Sequence, residues 1–418
     1  MKILYIVPFV SWEVKVRSFN LIPRLVRKHE IFLVCVSAVE PNARQKEWLS
    51  EYCEKVVHVQ HSVAKGITNC LAALTTKIPL RIAYCGSIAA REAVGRAYEE
   101  VRPDVIYVER WRALQFVPEG LETPIVCDPT DSMTLFNGRL MKASGSWQRL
   151  LGWEEWWKFL RYEGKLARQA KVCIFCSRVD LECVKKQARE TRYELVPNGV
   201  DGEKYYFKLP SEEEPNTVVF TGSFKYRPNR QAADYFLDEI FPRVQKRVPE
   251  AKFVAVGNGA ARALRKYRGR RGVEAVDFVP DLRPFLAKAT VAVAPLTVGA
   301  GVSNKVAEAF AVGTAVVATQ LACGDLPVKS GEHLLIGRDI NQFAEHVVTL
   351  LKDARLRREM TVRARRLVDQ QYDWEIVARK MEQVFESVAT HASNEGEPAF
   401  AHVGPLSSGR YIPQIRID

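Results

Sequence analysis

The chain has 418 residues, 47% of them apolar and 26% charged, and its 61 basic against 49 acidic residues leave a net charge of +12. That length predicts two domains of roughly 100–200 residues each, and the composition excludes a disordered or fibrous chain. The positive surplus favours anionic partners (nucleotide phosphates, acidic lipid headgroups or nucleic acid) without choosing among them.

The nine cysteines are odd in number and scattered through apolar runs, which predicts a reduced, cytoplasmic protein rather than a disulfide framework. Cys173 and Cys176 form a C-x-x-C with no second pair or histidine beside it, so core packing is expected there. The apolar opening at 1–7 stops at Pro8, too short for a signal peptide. No stretch approaches the roughly 18–20 apolar residues of a membrane span.

In chain order, 1–7 reads as a buried strand, 17–28 as a helix in spite of Pro23, and 31–37 as the next strand. Further β-branched runs at 105–109, 124–127 and 171–177 continue the alternation and predict a parallel sheet covered on both faces. Asp128 and Asp131 follow the run at 125–127, where carboxylates point into an α/β cleft; plain turn formation is the alternative. Arg17, after the loop at 8–12, falls within reach of the same cleft. Leu150, Trp153, Trp157 and Leu160 share one helix face, with Arg149, Lys158 and Arg161 around it. A core-facing helix and a helix lying on an anionic membrane through 147–161 both fit that pattern.

Pro, Ser and Glu at 208–216 mark a linker. The expected division is a first domain at 1–195, a linker at 196–216 and a second domain at 217–372. A helix at 373–390 packs back on the first domain, and a tail follows at 391–418. Strands are expected at 217–221, 252–257, 276–279, 291–295 and 315–318, and helices at 340–352, 356–371 and 374–388. The fold class is therefore α/β, two successive Rossmann-like halves whose parallel sheets face a cleft.

After the run at 291–295, Gly299-Ala300-Gly301-Val302 is a glycine-bearing loop, and Ser303-Asn304-Lys305 opens a helix that Gly313 stops. Free N–H groups of the first turn, a macrodipole contribution of up to about 2 kcal/mol and the charge of Lys305 together make an anion site. Glu308, three residues on, faces the same ligand and suits a ribose diol. An ordinary amphipathic helix with Glu308 solvated is the alternative. Gly257-Asn258-Gly259 has Arg262 where a dinucleotide fingerprint needs its third glycine, so no nicotinamide cofactor is expected.

The run P-L-T-V-G-A-G-V-S-N-K-V-A-E-A-F-A-V-G-T-A-V-V-A-T at 295–319 resembles the donor-binding segment of the retaining glycosyltransferases of family 4, which have the GT-B fold. V-P-N-G-V-D at 196–201, F-T-G-S-F-K-Y-R-P-N at 220–229, D-F-V-P-D-L-R-P-F-L at 277–286, G-E-H-L-L-I at 331–336 and Y-D-W-E at 372–375 fall in the family's order. The resemblance covers 195–388 well and the first half loosely, and it points to a subgroup acting in bacterial exopolysaccharide assembly.

By position, the resemblance implies that Gly222, Gly301, Ser303, Asn304, Lys305 and Glu308 bind the donor, the amides around Asn304 and Lys305 holding its diphosphate and Glu308 its ribose. It places Lys225 and Arg230 against the departing diphosphate, Asp131 on the acceptor hydroxyl and Asp128 on the acceptor side, where the position of Arg17 after the loop at 8–12 also puts that residue, although the loop lacks the family's glycine pair. No D-x-D sits at a suitable strand end, so no metal and no cofactor are expected beyond a UDP- or GDP-linked sugar as substrate. The implied activity is retaining transfer of a hexose-type sugar to a lipid-linked or oligosaccharide acceptor, in the cytoplasm or at the inner face of its membrane. One position departs: Ala300 stands where the family's E-x7-E motif has the Glu that touches the transferred sugar. It keeps a non-catalytic nucleotide-sugar-binding or scaffold subunit as the alternative. A nucleic-acid partner is not expected, because no compact basic and aromatic motif accompanies the charge.

Overall fold

The computed structural model describes residues 1–11, 16–142, 146–202, 204–298 and 304–394. Seven strands form the first sheet: β1 (Lys2–Val7), β2 (Glu30–Ser37), β3 (Lys55–Gln60), β4 (Val105–Glu109), β5 (Ile125–Thr130), β6 (Val172–Phe175) and β7 (Arg192–Leu195). Six form the second: β8 (Glu214–Thr221), β9 (Lys252–Val256), β10 (Val273–Val276), β11 (Ala289–Ala294), β12 (Ala315–Ala318) and β13 (Leu335–Ile336). Every strand pair is parallel, in the orders β3-β2-β1-β4-β5-β6-β7 and β10-β9-β8-β11-β12-β13. The strand order reverses between β1 and β4 and again between β8 and β11, the points outside which open α/β sheets bind ligands.

Helices cover both faces of the first sheet. Ile3, Tyr5 and Val7 of β1 pack with Leu21 and Ile22 and with Trp374, Val377, Met381 and Phe385 of the helix Trp374–Asn394. Leu4 and Ile6 face the other way, into a core with Ile82, Val94 and Phe159. This two-sided burial is why β1 is a continuous apolar run rather than an alternating one.

Two strands of chain join the domains side by side. Val200 N–H donates to Tyr372 O at 2.6 Å, and Trp374 N–H donates to Val200 O at 3.3 Å. A Cβ on Gly199 would lie 2.7 Å from the Trp374 ring, so the outgoing and returning segments touch. Across the domains, Arg178 N–H also donates to the Asp325 carboxylate.

Some elements differ from the sequence reading. β3 and β7 are edge strands whose residues stay half exposed, and their mixed polar pattern conceals them. β10 lies three residues before the expected 276–279, because its pairing with β9 starts as soon as the chain leaves Gly272. β5 continues through Pro129 to Thr130; a register shift against β6 between Cys127 and Thr130 accommodates the proline.

Candidate active site

β8 and β11 deliver two groups to the switch point of the second sheet. Just past β8, Gly222 has φ +142° and its N–H donates to Val256 O at 3.0 Å. A Cβ there would lie 2.9 Å from Lys305 Cε, 3.3 Å from its Nζ and 2.9 Å from Asn229 Nδ2. Only glycine tolerates both that backbone and that approach. Asn229 is itself fixed, its amide donating to Ser223 O at 2.8 Å, and Phe224 N–H donates to Asn258 O at 2.8 Å to hold the turn.

Past β11, the helix Asn304–Val312 buries Val306, Ala307, Ala309 and Phe310 and leaves Lys305 and Glu308 on its other side, one turn apart. The Lys305 ammonium lies 5.9 Å from the centre of the Phe220 ring. Burial pulls the Lys305 pKa down and pushes that of Glu308 up, and each charge partly offsets the effect on the other. Gly313, with φ +81°, ends the helix. The structure thus brings Gly222, Lys305 and Glu308 together, with Asn304 at the helix mouth. Lys225 and Arg230 are exposed beyond Gly222. Ala300, Gly301 and Ser303 lie outside the described residues.

On the first domain two expectations need correction. Arg17 and Asp128 were placed on the acceptor side, yet both are buried and paired with each other. Because β5 runs on to Thr130, Asp128 still sits within the sheet, opposite Glu109 of β4. Tyr107 OH donates to the same carboxylate at 2.6 Å. The Arg17 guanidinium also donates to Pro197 O at 3.3 Å and Asn198 Oδ1 at 3.1 Å, tying the first helix to the linker.

Asp131 is the first residue past β5, and 35% of its side chain meets solvent, 3.6 Å from Arg110. Arg110 leaves β4 with φ +79° and Thr130 ends β5 with φ +72°; such backbone in non-glycine residues is costly and concentrates at functional sites. Burial pushes the Asp131 carboxyl up to about 6, with Arg110 opposing and Asp180 and Asp128 adding to the rise.

Two distant carboxylates hold the turn after Asp131. Asp180 accepts from Ser132 N–H at 2.9 Å. Glu163 accepts from Ser132 Oγ at 2.9 Å, Met133 N–H at 2.6 Å, Thr134 N–H at 3.2 Å and Trp111 Nε1 at 2.9 Å. It thereby caps the helix Met133–Lys142 from another helix, and burial lifts its pKa to about 7. Sequence reasoning missed Arg110, Asp180 and Glu163. The position of Arg110 past a strand end was a readable signal; nothing local marks Glu163.

The tryptophan-bearing helix Ser146–Ala167 serves two surroundings. Phe159 is in the core while Trp153 and Trp157 are exposed, and Arg161 stacks on Trp157 at 4.3 Å. Lys158, expected among the surface cations, is instead buried, donating to Ala73 O at 2.8 Å and pairing with Glu154 at 2.6 Å. The side chains of Arg149 and Leu150 lie outside the described residues.

Residues 215–353 match the family described as Glycosyl transferases group 1. Over 238 residues, 54% of this chain and 61% of the relative, the sequence is 30% identical to a phosphatidyl-myo-inositol mannosyltransferase of Mycobacterium tuberculosis. The aligned part thus spans about three fifths of the length of that curated relative. Among solved structures, sucrose-phosphate synthase from Thermosynechococcus elongatus aligns with a TM-score of 0.68 at 15% identity, over 94% of this chain and 100% of that one. Anabaena Alr3699/HepE in complex with UDP and glucose aligns with a TM-score of 0.64 at 15% identity, over 93% and 100%. The likeness to family 4 glycosyltransferases and their GT-B fold therefore holds, with the matching family segment lying in the second domain.

Proposed function

With a group 1 glycosyltransferase segment as its second domain, we propose that this chain transfers a hexose-type sugar from a UDP- or GDP-linked donor to a hydroxyl of a lipid-linked or oligosaccharide acceptor. The reaction belongs to bacterial polysaccharide or glycolipid synthesis, and the enzyme works peripherally at the inner face of the cytoplasmic membrane. The observation that carries this reading is the Lys305–Glu308 pair on the first turns of a helix, set against Gly222 at the switch point of the second sheet. The name of the mycobacterial relative supports a lipid acceptor, and the UDP and glucose of the Anabaena complex support a nucleotide-sugar donor.

In this reading the Asn304 and Lys305 amides and the Lys305 ammonium hold the diphosphate, and Glu308 accepts from the ribose hydroxyls. Lys225 and Arg230 meet the charge that builds on the diphosphate as the anomeric C–O bond breaks. The acceptor hydroxyl, oriented by Asp131 and Arg110, attacks on the face the diphosphate leaves. Its proton passes to a phosphate oxygen, so the anomeric configuration is retained with neither a protein nucleophile nor a metal.

Nucleotide release from UDP-, GDP- and ADP-sugars with a lipid-extract acceptor tests the reaction, and an inverted linkage in the product sinks the retaining mechanism. Glu308→Gln is expected to weaken donor binding roughly tenfold or more, and unchanged affinity refutes the ribose assignment. Ala300 favours a second reading, a non-catalytic nucleotide-sugar-binding subunit of an assembly complex; binding without turnover across the panel would select it.

A further inference from the structure

Arg81, Arg110, Arg112 and Arg139 gather on the first domain where the chain leaves β4 and β5. Arg110 follows β4 directly and lies 3.6 Å from Asp131. Arg112 sits in the short helix Trp111–Leu114 and Arg81 in the helix Leu80–Tyr84. Gln115 ties those two helices together, its amide donating to Ile82 O at 2.9 Å and to Arg112 O at 2.7 Å. The Arg81 guanidinium lies 5.0 Å from the centre of the Phe136 ring, and Arg139 follows Phe136 one turn later on the helix Met133–Lys142. From the second domain, Tyr226 just past Gly222 faces the same groups: burial raises its pKa, Asp131 adds to the rise, and Arg139 and Arg81 oppose it.

These charges are not all matched. Arg110 has Glu109 and Asp131 as counter-charges, and Arg81 has Glu155, 3.9 Å from its Nε. Arg112 has no carboxylate among the described residues: the groups acting on its charge are the Cys85 thiol and the like charges of Arg110 and Arg81. Its Nε is buried and makes no hydrogen bond among the described residues. Burial first, and then the two neighbouring guanidiniums, pull its pKa down. A cation drawn out of water beside two others is costly to the fold. Arg17, buried in the same domain, shows the ordinary solution, with the Asp128 carboxylate against it. An unmatched charge in a cleft is the mark of a site whose ligand supplies the missing anion.

We infer that Arg112, with Arg81 and Arg110, holds a phosphate carried by the acceptor, on the reading above that Asp131 orients the attacking hydroxyl. A phosphate offers up to two charges and several oxygens to guanidinium forks, which suits a site furnished with more than one arginine. The donor diphosphate has its own cation on the second domain, where Lys305 lies against Gly222, so the group held here belongs to the other substrate. A soluble phosphate monoester and a lipid-linked diphosphate present the same oxygens, and either fits. Arg112 thereby selects the acceptor, binding it beside the hydroxyl that attacks and taking no part in the proton transfer.

The test is calorimetric titration of the full chain with glycerol 3-phosphate, a soluble monoester, and with geranyl diphosphate, a short stand-in for a lipid-linked diphosphate. At least one is expected to bind, and the tighter of the two names the source. Arg112→Met and Arg81→Met are each expected to weaken that binding roughly tenfold or more, whereas Lys305→Ala, altered only at the donor site, is expected to keep it. Arg112→Met retains the aliphatic stem and removes the charge, so its melting temperature is expected to equal or exceed that of the wild type. A clear fall in melting temperature marks a structural arginine and overturns the inference. So does unchanged phosphate affinity in Arg112→Met, phosphate binding that Lys305→Ala abolishes, tighter binding of glucuronate than of both phosphates, or no binding of either phosphate. Turnover of nucleotide sugars is a separate readout: its absence with phosphate binding intact removes the transferase reading and leaves the phosphate site standing.

Discussion

Replacing Gly222 by alanine reaches the donor site without touching a charged group. At φ +142° an L-residue carries strain of order 1–3 kcal/mol. The new methyl also lies 2.9 Å from both Lys305 Cε and Asn229 Nδ2. The asparagine is anchored to Ser223 O, so the end of the lysine chain is the group that yields. Displacing the ammonium forfeits a charge-assisted hydrogen bond to the diphosphate, about 1.5–3 kcal/mol, or roughly 10- to 150-fold in affinity. Calorimetric titration with whichever of UDP or GDP binds the wild type reads this in Gly222→Ala, Lys305→Ala and the double variant. Each single variant is expected to lose affinity, and the double to lose no more than Lys305→Ala, because both act through one ammonium. Wild-type affinity in Gly222→Ala, or fully additive losses, would refute the reasoning.

Breaking the buried Arg17–Asp128 pair with Arg17→Met leaves an uncompensated carboxylate and is expected to cost about 3–5 kcal/mol by urea unfolding; a loss below about 1 kcal/mol argues against a supporting role. Burial pushes the Glu163 carboxyl from an ordinary 4.5 up to about 7 in the folded chain. The folded state therefore holds a proton the unfolded chain gives up, and this contribution is full below about 4.5 and lost as pH rises through about 7. Urea midpoints across that range are expected to fall less steeply with pH in Glu163→Gln than in the wild type, where Glu109 and Asp131 also contribute to the slope. Trp374→Ala empties a buried site between the linker and the first-domain core; it is expected to cost about 3–5 kcal/mol and to lower the melting temperature of the first domain, which differential scanning calorimetry resolves.

Buried β-branched runs announce the strands: 105–109 and 315–318 match β4 and β12 end to end, and 340–352 matches its helix. The Lys305–Glu308 spacing was likewise readable, since one helical turn is a local relation. The approach of Gly222 to Lys305 was not, because it joins residues brought together only by the β8–β11 pairing. Asp128 was misplaced because a proline reads as the end of a strand, whereas a local shift in register lets β5 pass through Pro129.

The returning chain crossing sets the order in which this protein is made. The face of the first sheet that carries Tyr5 and Val7 is closed by Trp374, Val377, Met381 and Phe385, which leave the ribosome only after the whole second domain. At roughly 5–20 residues per second, that wait is on the order of ten to forty seconds. The second domain, whose core draws, among the described residues, on nothing before Val200, is free to fold during that interval. The first-made half of the nascent chain thus reaches its native state last, its apolar sheet face meanwhile open to the cell's chaperones.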